Sequence, residues 1–337
     1  MNSTNKPIKE VECSQSGQVP SAVYDSSEPL VIRGLISDWP LVKMGLKSPR
    51  EAGNYLKGFY QNLPVTAAIG EPKIDGRIFY NEDYSGFNYQ SVKADLHDLL
   101  EKIYNCAEDE NPPTFYMAST LVDRWFSGFR EQHSLALDAN NPLVSIWLGN
   151  RSRIAAHYDL PDNIACSAVG RRKFTLFPPD QLANLYPGPL DWAPGGQPIS
   201  LVDFKNPDFE KFPHFQKALE VAQTTVLEPG DGLFIPSMWW HHVEGLETLN
   251  ILVNYWWRQS PNYMDTPANT LLYGLMSMRD LPAEQKKVWR QMLDYYIFDA
   301  DSDSHGHIPE QAKGSLGPID ESLNRKIRAL LLKKINR

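Results

Sequence analysis

Three cysteines, Cys13, Cys106 and Cys166, are all that this chain of 337 residues contains. An odd count with no CxxC pair gives neither a disulfide framework nor a zinc knuckle, so the sequence reads as belonging to a reducing, cytoplasmic setting. Long hydrophobic runs are missing as well. No stretch approaches the ~20 apolar residues that a membrane-crossing helix needs. The polar start, Met1 to Val11, has no apolar segment of the kind found in a secretory leader. Positive charge is scarce: 33 Lys and Arg face 41 Asp and Glu, a net charge of −8. That balance argues against an extended nucleic-acid surface, though not against a local basic pocket. Internal repeats and low-complexity tracts are absent too.

Apolar residues make up 42% of the chain and aromatic residues 11%, ample for a core in one large domain or two. Residues 1–20 are polar and read as loosely held. Pro29 to Gly34 reads as a short buried strand ended by glycine. Ser48-Pro49-Arg50-Glu51 is a capping box with proline at the first helical position, so a helix starts at 49. Arg77 to Tyr80 reads as another strand. Val92, Leu96, Leu99, Leu100 and Ile103 fall at helical spacing over 91–104, with His97 off that face as a plain solvent residue.

The middle of the chain is rich in strands, expected at 114–118, 143–149, 153–158, 173–177, 224–228, 232–235, 240–244 and 249–256. Gly149-Asn150, Pro178-Pro179-Asp180, Pro229-Gly230-Asp231-Gly232 and Gly245 supply turn signals between them. Short strands at this spacing suggest an antiparallel barrel or jelly roll. Residues 180–215, rich in proline and glycine, are long enough for a lid or binding loop over one mouth. After 263 the pattern becomes helical. Leu271, Leu272, Leu275, Met276 and Met278 form one apolar stripe. Val288, Met292, Leu293, Tyr296 and Ile297 form a second, and Leu323, Ile327, Leu330, Leu331 and Ile335 a third. These stripes must be buried against the barrel or against a second subunit. The expected division is 1–110 as a helix and strand segment packed on the barrel, 111–258 as the barrel, and 259–337 as a helical region.

His157-Tyr158-Asp159 and the distant Trp239-Trp240-His241-His242 are the residues most able to carry chemistry. Alternate side chains on a strand point the same way, so His157 and Asp159 can share the interior while Tyr158 faces out. A second histidine brought alongside would complete two histidines and one carboxylate, the set that holds Fe(II) by one face and leaves positions open for a co-substrate and dioxygen. His241 and His242 point to opposite faces, and spacing alone does not choose between them. Satisfied core histidines are the bland alternative for His157 and His241. An α-keto acid on such a metal would need a cation at its far carboxylate. Arg171, Arg172 and Lys173 open the next strand, and one of them can face in. Asn163 and Asn254 are amides in apolar strand context, able to hold a carboxylate or to satisfy a turn.

The ordered motifs resemble a known family. Ala156-His157-Tyr158-Asp159, Asn163, Gly170, Phe177-Pro178-Pro179-Asp180-Gln181 and Leu185-Tyr186-Pro187 are similar to the JmjC and cupin-8 dioxygenases, most of all to their asparaginyl-hydroxylase branch. Val202-Asp203-Phe204, Pro229-Gly230-Asp231, Ile235-Pro236, Trp239-Trp240-His241-His242 and Val253-Asn254-Tyr255-Trp256 continue the likeness, which is strong over 110–258. The resemblance implies a double-stranded β-helix, mainly β with flanking helices. It implies His157, Asp159 and His241 as iron ligands, and Tyr116, Asn163, Arg172, Asn254 and Trp256 as the 2-oxoglutarate set. Arg172 stands where the family has lysine, and Ile154 where it has a hydroxyl. The segment around Gly195-Gly196-Gln197-Pro198 diverges from the family's peptide-binding part, so asparagine hydroxylation is not carried over.

The expected function is an Fe(II)- and 2-oxoglutarate-dependent oxygenase that uses dioxygen to hydroxylate a protein side chain, an amino acid or a small metabolite. A non-oxidative metal cupin such as an isomerase, or a non-enzymatic sensor or scaffold, are the alternatives. The resemblance also implies a homodimer through the C-terminal helices. Asp299, Asp301, Asp303 and Glu310 match ligand positions of a calcium-binding EF-hand loop, but Ser304 replaces its glycine and Pro309 intrudes, so 299–310 reads as an acidic surface loop.

Overall fold

β-Branched and aromatic residues between the turn signals form strands that pair into two sheets. The computed structural model describes residues 6–139, 141–301 and 303–336. In chain order the strands are β1 (Lys6–Pro7), β2 (Lys9–Glu12), β3 (Leu30–Arg33), β4 (Val65–Gly70) and β5 (Arg77–Ile78). Then come β6 (Gln90–Ala94), β7 (Thr114–Leu121), β8 (Leu143–Gly149), β9 (Ser152–His157) and β10 (Asp162–Val169). The last are β11 (Arg172–Phe177), β12 (Gln223–Leu227), β13 (Gly232–Ile235), β14 (Trp240–Gly245) and β15 (Asn250–Trp257). A six-stranded sheet runs β1-β12-β11-β14-β9-β5, and a nine-stranded sheet runs β2-β3-β13-β10-β15-β8-β7-β4-β6. The pairing within the barrel is antiparallel, and the architecture is a jelly roll.

The alternation of β15 sets the layers. Ile251, Val253, Tyr255 and Trp257 pack into a core shared with α1 (Pro40–Lys47), α2 (Pro49–Lys57) and α3 (Leu96–Asn105). Leu252, Asn254 and Trp256 turn the other way and line a cavity. α2 starts where its capping box predicts, with Ser48 Oγ accepting from the Glu51 N–H at 3.1 Å. On α3, Leu99 and Leu100 are fully buried, each stabilising by about 1.5–3 kcal/mol relative to exposure. Gly170 makes the turn from β10 to β11 at φ +73°, where a Cβ would sit 2.6 Å from the Leu249 carbonyl oxygen.

Several elements differ from the sequence reading. Residues 6–12, read as loosely held, form β1 and β2, which pair in parallel with β12 and β3. The helix read over 91–104 begins only at Leu96, because Asp95 caps it by accepting from the His97 N–H. Val92 belongs instead to β6. β10 was not expected at all. It is buried on both faces, so it lacks the alternation that marks a half-buried strand.

By its contacts the chain divides into Met1–Gln259 and Ser260–Arg337. The second unit holds helices Pro267–Ser277, Ala283–Leu293 and Glu321–Ile335. The first and last start on side-chain caps, Thr266 and Asp320. None of the three helices has a buried residue.

Candidate metal and co-substrate site

β9 and β14 lie side by side, with His157 paired to His241 in register and their ring centroids 4.3 Å apart. A register shift follows, in which β9 carries an extra residue against β14. Such bulges re-aim side chains beside functional sites. His157 Nδ1 lies 2.9 Å from the Ala155 carbonyl oxygen, and His241 Nδ1 lies 3.0 Å from that of Trp239. A carbonyl oxygen only accepts, so both Nδ1 atoms carry the proton and both Nε2 atoms keep a lone pair. Burial, and then the neighbouring His157, holds His241 far below the usual histidine range, at about 4. It is therefore neutral at pH 7, the form that binds metal.

Asp159 stands two residues beyond the end of β9. Its Oδ2 accepts from Asn163 Nδ2 at 3.2 Å and from Trp256 Nε1 at 3.0 Å, and lies 3.7 Å from His241 Nε2. Asn254 Nδ2 donates to Asn163 Oδ1 at 3.4 Å, and Trp147 Nε1 donates to Asn254 Oδ1 at 2.8 Å. Hence Asn163, Asn254 and Trp256, expected beside the co-substrate, also fasten the carboxylate. Trp147 closes that chain of hydrogen bonds and was missed by sequence reasoning. Its signal was the alternation of Ser145 and Trp147 on β8.

Donor atoms of His157, Asp159 and His241 lie within 4.8 Å of one another, the one such metal-capable cluster among the described residues. Residues 299–310 contribute none. There Asp301 Oδ1 instead accepts from the backbone N–H groups of Asp303 and Ser304. His242 lies on the opposite face of β14, 4.7 Å from the Phe204 ring. Its Nδ1 has no hydrogen-bond partner, and burial together with the charges of Lys173 and Arg153 pushes it down to about 3.

A cavity of about 570 Å³ lies between the sheets, lined by the three donors and by Tyr116, Trp147, Ile154, Arg172 and Asn254. Of the basic trio, only Arg172 faces it. Arg171 pairs with Glu247 at 2.6 Å and Lys173 with Glu244 at 2.8 Å. Arg172 is 1% exposed, and its Nε and Nη2 have no partner. Leaving a guanidinium buried without a counter-charge costs several kcal/mol. Burial lowers its pKa, and the nearby Tyr116 phenol raises it. The Tyr116 hydroxyl is pushed up to about 12 by burial, against the pull of Arg172, so it is a neutral donor. A buried cation without its anion, beside a phenolic donor and a metal-capable triad, fits a dicarboxylate that bridges them. Ile154 packs in the wall beside Tyr116 and offers no hydroxyl.

A jelly roll with two histidines and a carboxylate on its inner wall is a cupin in class. The model of the cupin-like domain matches residues 16–263, and the chain belongs to this family. It is 33% identical over 287 residues to "Lysine-specific demethylase JMJ31" of Arabidopsis thaliana, covering 73% of this chain and 50% of the relative. It is 30% identical over 262 residues to "tRNA wybutosine-synthesizing protein 5" of Gallus gallus, covering 71% of this chain and 73% of that protein. A shorter match, 31% over 157 residues, joins it to "JmjC domain-containing protein C" of Dictyostelium discoideum. The chain thus spans half the length of the Arabidopsis relative. Among the described residues no helix is long and apolar enough to cross a membrane.

Proposed function

We propose that this chain is an Fe(II)- and 2-oxoglutarate-dependent hydroxylase acting on a protein side chain, an amino acid or a small metabolite. The unpartnered guanidinium of Arg172, sealed inside the cavity that holds the His157, Asp159 and His241 donors, carries this reading. When bound, ferrous iron and 2-oxoglutarate would supply oxygen activation driven by decarboxylation to succinate. The chain's part is to bind and orient. His157 and His241 present Nε2 lone pairs, because their Nδ1 protons are given to the backbone. Asp159 is aimed by Asn163 and Trp256. Arg172 and the Tyr116 hydroxyl receive the far carboxylate, and Ile78, Ile154, Phe174 and Leu252 keep water from that end.

Anaerobic titration of the iron-loaded protein with 2-oxoglutarate tests the reading. A visible charge-transfer band is expected, and it is lost in His157→Ala and Asp159→Ala. Metal uptake with no such band would point to a non-oxidative cupin. The unpaired thiols Cys13, Cys106 and Cys166 agree with a reducing cytoplasm.

Within the same reading, Ser260–Arg337 forms the contact of a homodimer. Leu271, Leu272, Met276, Val288, Met292 and Ile297 are exposed on its helices, and a second copy is what would cover them. Leu272→Glu with Met292→Glu should convert a dimer to a monomer in light scattering. An unaltered chain that is monomeric at micromolar concentration would end that part of the proposal.

A further inference from the structure

Asp159 lies in the short segment between β9 and β10, and residues 236–239 form the turn that leads into β14 and His241. Hydrogen bonds join these two segments to each other and to the chain just past β15. The Met238 N–H donates to the Asp159 carbonyl at 2.9 Å. The Ser237 hydroxyl donates to the Leu160 carbonyl at 2.6 Å, and the Ser237 N–H donates to Asp162 Oδ1 at 2.9 Å. Gln259, beyond the end of β15, donates from Nε2 to Asp162 Oδ2 at 2.9 Å.

Asp162 is the hub of this clamp. It is buried, and a buried carboxylate is costly without partners. Among the described residues no lysine, arginine or histidine pairs with it, and its two oxygens are taken by neutral donors from two other segments. Met238 points the same way. It adopts φ +68°, a left-handed conformation that side chains other than glycine rarely take. It does so inside a turn closed by the Trp239 N–H on the Pro236 carbonyl at 3.2 Å. Such conformations persist only where the surroundings hold them, and they gather at functional sites. Here the residue so held is the one whose N–H reaches Asp159. Asn163 and Trp256 fix the carboxylate of Asp159, whereas the clamp acts on its backbone and on the stem of Asn163, the residue after Asp162.

We propose that Asp162 and Gln259 are positioning residues of the metal site. They hold the Asp159 segment against the turn that carries His241, and so set the spacing of the two ligands before a metal arrives. Neither residue lines the cavity. This rests on the reading of His157, Asp159 and His241 as the metal site.

Calorimetric titration of the full chain with Mn(II) in place of Fe(II), without oxygen, provides the test. Asp162→Ala should weaken binding by about ten- to a hundredfold, the range for groups that orient ligands from behind. Asp162→Asn should stay within about threefold of the unaltered chain, because its oxygen still accepts from the Ser237 N–H and its amide can donate to a rotated Gln259 amide. Gln259→Glu, at an exposed position, replaces that hydrogen bond by two facing carboxylates and should weaken binding by roughly two- to twelvefold. Adding Asp162→Asn to Gln259→Glu gives the new carboxylate an amide donor, and affinity should return. Uptake of 2-oxoglutarate at saturating Mn(II) should change by less than about threefold in every variant. Equal affinity of the unaltered chain and Asp162→Ala overturns the inference and leaves the metal site standing. A loss in Asp162→Asn as large as in Asp162→Ala, no recovery in the double variant, or 2-oxoglutarate uptake that falls in step with the metal also overturns it. Should Asp162→Ala fail to fold, the Gln259 variants decide alone. An unaltered chain that takes up no Mn(II) overturns the metal-site reading itself, and this inference with it.

Discussion

At the start of β11, Arg171, just before the strand, and Lys173 look outward while Arg172 looks inward. On β14, His242 looks outward and His241 inward. The two faces carry the same side-chain types in opposite circumstances. Outside, each cation has its carboxylate, Glu247 or Glu244, in exposed pairs that solvent screens. Inside, Arg172 has no carboxylate. The histidines reverse the pattern. His241 has its Nδ1 proton committed to a carbonyl, while the Nδ1 of His242 meets only its packing. Residue type therefore says little about role, and what each polar atom lacks says more. An inner face that keeps a bare cation opposite three metal-capable donors is arranged for something that arrives from outside the chain.

The sharpest way to break this comparison is at the histidines. His241→Ala should abolish Fe(II) binding measured by calorimetry, whereas His242→Ala should keep most of it. The opposite result would exchange the roles of the two faces. Next in size is the basic trio. Truncating one partner of a buried charge pair costs about 2–5 kcal/mol, so Arg172→Ala should raise the 2-oxoglutarate concentration needed for succinate release by roughly thirtyfold to several thousandfold. Arg171→Ala and Lys173→Ala should change it less than about fivefold. Equal effects at all three would mean a diffuse basic patch.

A histidine outside both faces gives a control. His133 is fully buried, with Nδ1 on the Phe129 carbonyl and Nε2 accepting from the Leu41 N–H, and burial holds it down to about 4. Its folded value lies below its unfolded one, so the unfolded chain binds the extra proton. Stability should then fall as pH drops from about 6.5 to about 4, and change no further on this account below that. In urea titrations His133→Gln should flatten this slope, and an unchanged slope would remove His133 from the account. The smallest effect belongs to Tyr116→Phe. Losing one hydrogen bond of about 0.5–1.5 kcal/mol should raise the 2-oxoglutarate requirement roughly two- to twelvefold. A change as large as that of Arg172→Ala would mean that the hydroxyl also orients the guanidinium.

Much of the barrel could be read from sequence, because its half-buried strands alternate and end on Gly, Pro and Asp. β10 could not, since Asn163, Ile164, Ala165 and Cys166 are all buried and small side chains do not mark a face. β1 and β2 were hidden for another reason. Lys6, Lys9 and Glu10 are exposed edge residues whose strands exist through parallel partners far along the chain. At the site, spacing pointed to His157 and Asp159, and the family resemblance to His241 and Arg172. The wall residues Thr66, Ser91 and Ser119 were invisible because no motif marks them, and only the pairing of β7 with β4 and of β4 with β6 brings them together.

The hydrogen-bonded run from Trp147 through Asn254 and Asn163 to Asp159 works as a tie-rod. It starts on β8, crosses β15 and β10, and ends on a carboxylate beside the opposite sheet. The aim of Asp159 is thus fixed by the spacing of three strands to which it does not belong. A metal ion would meet a carboxylate already held in place, with little left to order on arrival. A change at Trp147, remote in sequence, would slacken the rod and be felt as a loosened grip at its far end.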